Sequence, residues 1–261
     1  MNLFRLLGDM SHLLSIIVLL MKIRATRSCR GACWLMVDGG LTIELATEAK
    51  PYELNSARSK NRHHTLPTIF FHPTTAGISR RTQELYLLVF VTRYLDLFYS
   101  YVSLYNSVMK IIYVTSSATI VYLMRRDPVV SQTYDAERDT FRVMFLIGPS
   151  MLMALLVHYS SRITEILWTF SIYLEAVSIF PQLVLMQRTL NIDNLTAKYV
   201  FLLGLYRGLY ILNWIWRYLT EPGYRQWLVW TSGVVQTALY GDFFYYYLQA
   251  WNTNQRLHLP S

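Results

Sequence analysis

The sequence predicts an all-α membrane protein that crosses the bilayer seven times. Three observations carry this. Apolar residues make up 53% of the chain and charged residues only 15%, where a soluble domain carries about 25% charge. Seven apolar runs stand along the 261 residues, and the basic residues collect beside alternate runs. With so little charge, the apolar surface cannot be hidden inside one globule, and a lipid-facing exterior follows. The net charge of +8 would suggest nucleic acid in a soluble protein. Here it is read by its position along the runs, and no nucleic-acid partner is expected. Two cysteines, Cys29 and Cys33, are too few for a disulfide framework.

A helix crosses about 30 Å of hydrocarbon with about 20 residues, because it satisfies its own backbone groups there. The runs are 3–23, 85–105, 108–124, 143–157, 166–186, 199–218 and 227–250, the third and fourth being short. The first resembles a signal peptide in length, but Asp9 and His12 interrupt it and no small-residue cleavage site follows. Lys22, Arg24 and Arg27 stand just after it, which favours a lumenal N-terminus. Seven crossings then put the tail and the connections 1–2, 3–4 and 5–6 in the cytosol. That side holds Lys22, Arg24, Arg27, Arg80, Arg81, Arg125, Arg126, Arg138, Arg142, Arg188, Lys198 and Arg256, whereas the lumenal side holds Lys110, Arg162 and Arg225. The bias is that of cytosolic loops. The sequon Asn194-Leu195-Thr196 falls on the cytosolic side and should stay unglycosylated. Residues 30–75 are polar and mixed and contain no span, so they read as an inserted, disordered cytosolic loop. The spacing of His63, His64 and His72 with Cys29 and Cys33 matches no zinc pattern.

Charges inside the spans are the informative residues. Each costs roughly 2.5–3.5 kcal/mol at a helix centre, so a retained one faces a partner or a wet cavity. Arg5, Asp9 and His12 lie at i, i+4 and i+7, on one face of span 1. Arg93 and Asp96 share a face of span 2, Glu165 stands at the start of span 5 with Glu175 inside it, and span 7 holds Asp242. Span 6 is the densest: Arg207, Tyr210, Trp214 and Arg217 form a stripe, flanked by Tyr206 and Asn213. Four intramembrane arginines on three spans imply a cavity of positive character, suited to carboxylates that a guanidinium grips with two parallel hydrogen bonds. Bland readings stand beside this one. Arg93 and Asp96 could neutralise each other across one turn, Glu175 and Asp242 could be structural counterions, and Arg5 could snorkel to the lumenal boundary. His12, whose imidazole titrates near neutrality, is a candidate proton sensor. No nucleophile or metal constellation is visible, so an enzyme is not expected, and no cofactor.

These residues sit in longer runs. Met1-Asn2-Leu3-Phe4-Arg5 continues through Gly8-Asp9 to Ser11-His12. Arg93-Tyr94-Leu95-Asp96-Leu97-Phe98, Asp139-Thr140-Phe141-Arg142 and Glu165-Ile166-Leu167-Trp168-Thr169-Phe170 follow, with Ser171-Ile172-Tyr173-Leu174-Glu175. Tyr206-Arg207, Asn213-Trp214-Ile215-Trp216-Arg217-Tyr218 and Asp242-Phe243-Phe244-Tyr245 complete the set. In these runs, spread over 1–29 and 76–261, the chain resembles the KDEL receptors, which return escaped endoplasmic-reticulum proteins from the Golgi.

The resemblance implies seven helices arranged as two three-helix repeats with a linker helix, like SWEET and PQ-loop transporters. Phe180-Pro181-Gln182-Leu183 is similar to their Pro-Gln motif and should kink span 5. It implies as ligand the C-terminal Lys/His-Asp-Glu-Leu of lumenal proteins. Arg93 and Tyr94 would hold the terminal carboxylate, and Arg5, Arg207 and Arg217 the acidic groups. Glu165 would attract the leading cation, Trp168 and Trp214 would form apolar walls, and Tyr206 and Glu175 would meet His12. Asp242 resembles a residue needed for transport, and the retrograde vesicle coat (COPI) is the implied cytosolic partner, with membrane lipid around the helices. The chain departs from the family in the segment 30–75 and in a tail, 252–261, whose basic residue is Arg256 rather than lysines. The competing function is a small-solute transporter, which four arginines suit poorly if the solute is a neutral sugar.

Overall fold

The structure, a computed structural model, describes residues 2–38, 77–189, 192–253, 257 and 259, with 26–38 as backbone alone. Most of the segment 30–75, with its histidines, and Arg256 lie outside the described residues. Ten α-helices, one 3-10 turn and no strand occur among the described residues. In order they are α1 (Leu3–Asp38), α2 (Arg80–Arg93), the 3-10 turn Tyr94–Phe98, α3 (Leu104–Arg126), α4 (Pro128–Gln132) and α5 (Met144–Leu156). Then come α6 (Ile163–Val177), α7 (Phe180–Arg188), α8 (Asn194–Thr220), α9 (Trp227–Leu239) and α10 (Gly241–Thr253).

Among the described residues, four stretches are long and apolar enough to cross a membrane: Leu3–Ala25, Leu104–Arg126, Ile163–Arg188 and Asn194–Thr220. Met144–Leu156 is a shorter apolar helix. The starts of α2, α3 and α4 follow side-chain caps that satisfy otherwise orphan N–H groups, each worth about 1 kcal/mol. Ser79 accepts from Thr82 N at 3.2 Å to open α2, and Ser103 accepts from Asn106 N at 3.2 Å to open α3. Asp127 accepts from Val129 N and Val130 N, with Pro128 in the first turn of α4 where its missing N–H costs nothing.

Three expected spans are built in pieces. The second ends earlier than the 85–105 run: α2 gives way to the 3-10 turn, and Tyr105 belongs to α3. The fifth breaks at Ser178 and Ile179, just before Pro181, whose ring cannot donate to a helical carbonyl. The seventh breaks at Tyr240 into α9 and α10. Gln182 ties down the fifth: it accepts from Ser79 N at 2.9 Å and donates to Gly77 O at 2.6 Å. Ser79 also donates to Asp139, which accepts from Tyr134 OH at 2.5 Å as well. Burial and that contact push the Tyr134 hydroxyl up.

Helix α1 packs along α8, α2 against α6 and α3, and α9 against α6 and α8. The core between them is aliphatic and aromatic, with Leu19, Val89, Leu174, Val200 and Phe243 buried. One end of the bundle collects the starts of α1, α3, α6 and α9 with the ends of α2 and α8. The other end carries Arg126, Arg138, Arg142, Arg188 and Lys198, all exposed.

Candidate functional site

At the first of those ends the six helices enclose a cavity of about 260 Å³. Helix α1 presents Arg5, Asp9 and His12 to it, as one face of a helix must. Helix α2 and its 3-10 extension supply Phe90, Arg93 and Tyr94, α6 supplies Trp168 and Glu175, and α8 supplies Tyr206, Arg207, Tyr210 and Trp214. Helix α3 adds Tyr105, Asn106, Lys110 and Tyr113. Arg5, Arg93, Lys110 and Arg207 stand against two carboxylates, Asp9 and Glu175. The lining therefore carries excess positive charge inside a bundle that excludes most water.

Glu175 is the centre of the charge network. Arg93 donates to its Oε2, the Arg207 guanidinium lies 2.5 Å from its Oε1, and Tyr206 OH donates to Oε1 at 2.6 Å. Arg93 Nε also donates to Ser171 Oγ at 3.1 Å, and that hydroxyl donates to Trp168 O at 2.6 Å. One carboxylate thus holds two guanidiniums. Arg93 Nη2 and Arg207 Nε remain buried without an acceptor among the described residues. Buried cationic N–H groups left that way cost more than neutral ones, so the site favours an arriving anion.

His12 is sandwiched between Tyr206, with ring centroids 4.3 Å apart, and Tyr113, 4.7 Å away. The same Tyr206 that stacks on the imidazole donates to Glu175, so ring and carboxylate share one intermediary. Asp9 clamps three helices: it accepts from Tyr105 OH at 2.8 Å and from Tyr210 OH, while its backbone carbonyl accepts from Tyr113 OH at 3.2 Å. Trp214 seats against α9 where Gly233 leaves room, since a Cβ there would overlap the indole.

A second cavity of about 390 Å³ adjoins the first and shares Arg93, Trp168 and Gln226 with it. Glu165 and Asp96 line it. Asp96 pairs with Lys110 at 2.6 Å rather than with Arg93, which resolves the intrahelical neutralisation that their spacing allowed. Arg217 lies outside both cavities. It forms hydrogen bonds of 2.7–2.9 Å to Glu221 and stands over the Tyr224 ring, and those bonds hold the Glu221 carboxyl below its ordinary range. Asn213 is buried beside the cavity without lining it, its Oδ1 unpartnered, and Asp242 is exposed on the first turn of α10.

A sequence family described as ER lumen protein retaining receptor matches residues 74–217. Over 261 aligned residues, covering all of both chains, the sequence is 49% identical to ER lumen protein-retaining receptor B of Arabidopsis thaliana. It is 47% identical to the receptor of Petunia hybrida and 43% to receptor 2 of Gallus gallus, with the same coverage. The chain belongs to the ER lumen protein-retaining receptor family. With its apolar helices, this makes it a multi-pass membrane receptor of the secretory pathway.

Of the residues expected at the receptor's site, Arg5, His12, Arg93, Tyr94, Trp168, Glu175, Tyr206, Arg207, Tyr210 and Trp214 meet in the first cavity. Sequence reasoning missed Lys110, which it places among lumenal loop charges and which is buried in the second turn of α3. It also missed Tyr105, Tyr113 and Gln226. Lys110 had a signal, a lone cation followed by a run of fourteen uncharged residues, 111–124. The tyrosines had none among 20 of their kind.

Proposed function

We propose that the receptor captures escaped lumenal proteins by their C-terminal Lys/His-Asp-Glu-Leu, inserted into the cationic cavity, and returns them by retrograde vesicles. The observation that carries this reading is the pair Arg93, half-buried, and Arg207, buried, which share Glu175 and each keep a buried nitrogen lacking an acceptor among the described residues. A terminal carboxylate and two acidic side chains supply acceptors of the right charge. Arg5, half-exposed beside Asp9, stands where an acidic group would pass. Glu165 and Asp96 in the adjoining cavity suit the leading cation. Arg217 serves as an outer contact that must first leave Glu221, and Asn213 supports Trp214. The protein crosses the membrane seven times, counting α2 with its 3-10 turn, α6 with α7, and α9 with α10 as single spans. Its N-terminus is lumenal, and the exposed arginines and Lys198 face the cytosol and the coat. Asp242, remote from the cavity, acts in transport of the loaded receptor.

Capture strengthens as the lumen acidifies. The charged and titratable groups around His12 are Asp9 on α1, Arg93 on α2, Lys110 and Tyr113 on α3, Glu175 on α6, and Tyr206 and Arg207 on α8. A cargo carboxylate drawn to Arg93 competes with Glu175 for that guanidinium. A Glu175 so released offsets an imidazolium. Cargo and proton therefore favour each other, and reciprocity requires affinity to rise as pH falls through the titration of His12. Each unit of difference between bound and free states is worth ~1.4 kcal/mol.

The test is titration of purified receptor with a Lys-Asp-Glu-Leu peptide at acidic and neutral pH, beside the same peptide amidated at its C-terminus. The acid-form affinity should be the higher. Amidation, which removes a charge-assisted contact, should cost about 2 kcal/mol, roughly thirtyfold in Kd. Equal affinities for free and amidated peptide would defeat the carboxylate reading, and equal affinities at the two pH values would defeat the coupling.

A further inference from the structure

Below the cavity, toward the basic end of the bundle, lies a polar seam that the binding reading does not use. On α9, Ser232 lines the cavity, and Gln236 and Tyr240 follow at i+4 and i+8, so one polar stripe descends from the cavity floor. Both Gln236 and Tyr240 are fully buried. On α2, Tyr86 lies one turn below Phe90, with Gln83 and Thr82 a turn further, all buried. On α8, Tyr199 lies seven residues, about 10 Å, below Tyr206.

These stripes face one another. The Tyr240 ring stands 3.0 Å from the place where a Cβ on Gly204 would be, which fixes α9 against α8 at this level. Gln83 Nε2 donates to Tyr199 OH at 2.8 Å, joining α2 to α8. The hydroxyls of Tyr86 and Tyr240 approach each other without reaching hydrogen-bond geometry. Five polar atoms here are buried and unpartnered among the described residues: Thr82 Oγ1, Tyr86 OH, Tyr240 OH, and both Nε2 and Oε1 of Gln236. In a bilayer-spanning bundle such atoms are expensive, and a fully buried amide with neither end bonded is the least tolerable. Below Thr82 the polar chain continues: its backbone N–H donates to Ser79 Oγ, and Ser79 donates to Asp139 at the basic end.

We propose that the seam between α2, α8 and α9 binds a file of water molecules and conducts protons between the ligand cavity and the cytosolic cap at Asp139. Water is the one ligand small enough to bridge Gln236, Tyr86 and Tyr240 and able both to donate and accept at every one of them. Conduction is balanced by construction. A proton enters the file at one end as another leaves at the other, and no side chain keeps a net charge. The consequence is a small proton conductance in a receptor whose binding cavity faces the acidic side. It depends on the bundle spanning a membrane and not on the identity of the cargo.

The experiment uses the intact receptor in lipid vesicles with a pH-sensitive dye inside, an external acid pulse, and the voltage clamped by potassium and valinomycin. Proton entry should be severalfold faster than in protein-free vesicles. Gln236→Leu and Tyr86→Phe should bring it close to the protein-free rate while Lys-Asp-Glu-Leu peptide binding is kept. Wild-type entry no faster than in empty vesicles overturns the proposal, as does unchanged entry in both variants. Should Gln236→Leu lose peptide binding through misfolding, Tyr86→Phe, which removes one hydroxyl, decides alone. The thermal midpoint of a folded Gln236→Leu is a second readout. A lowered or unchanged midpoint fits a hydrated amide, and a raised one means that the amide was dry and overturns the proposal.

Discussion

Glu175 shows how one buried carboxylate can be both a structural counterion and part of a binding site. It neutralises Arg93 and Arg207 and accepts from Tyr206, yet leaves each guanidinium with an unused donor. Removing one partner of such a group leaves uncompensated charge in the interior, which costs more than the pair contributes. Glu175→Gln should therefore destabilise the detergent-solubilised receptor by about 3–5 kcal/mol, seen as a lowered thermal midpoint. Pairing it with Arg207→Gln should recover part of the loss, and a single variant as stable as the wild type would show that the ion pairs are solvated. At this scale the sequence was informative wherever chemistry is rare. A carboxylate or guanidinium within an apolar run is conspicuous, so Arg5, Arg93, Glu175 and Arg207 stand out unaided. What could not be read was pairing. Arg93 and Asp96 share a helical face but hold Glu175 and Lys110, because the neighbouring helices offer closer partners than their own turn does.

At the scale of elements, the breaks in the helices decide where the side chains go. Periodicity delivers a continuous run over 227–250 and over 166–186, and neither is continuous in the fold. Pro181 announces its break, and Gly241 directly follows the one at Tyr240; the 3-10 turn after Arg93 carries no comparable residue. The Pro181 break brings Gln182 to Gly77 and Ser79, so α7 holds the start of α2 through two hydrogen bonds from one amide. Gln182→Leu should leave Ser79 N and Gly77 O unpaired in a buried site and cost about 2–4 kcal/mol in stability. Peptide affinity in the folded fraction should change little, since the cavity opens at the opposite end. Gly233→Ala makes the contrasting case. The added methyl must displace Trp214, an overpacking of about 1–3 kcal/mol. Because Trp214 lines the cavity, this variant should lose peptide affinity as well as stability, measured by titration beside a thermal melt. Stability lost with affinity intact would remove Trp214 from the binding site.

At the scale of the whole molecule, the repeat architecture that the family resemblance implies requires particular helix pairs to meet. If α1, α2 and α3 correspond to α6, α8 and α9, a two-fold operation exchanges the pair α1–α8 with the pair α6–α2. Both pairs are in contact. The same operation relates α2–α3 to α8–α9 and α1–α3 to α6–α9, and all four contacts occur. The cavity then lies between the halves, where a repeat design puts a midplane site. The proposed lumenal opening of the cavity rests on charge, since the end away from it carries Arg126, Arg142, Arg188 and Lys198. Single cysteines test it in sealed microsomes, whose outer face is cytosolic. With Cys29 and Cys33 replaced, Lys198→Cys should react with a membrane-impermeant maleimide before any detergent is added. Tyr99→Cys, beside the second cavity, should react only after the vesicles are opened. The reverse pattern would turn the cavity toward the cytosol. A receptor for lumenal chain ends could not work that way, because its guanidiniums would face the wrong compartment.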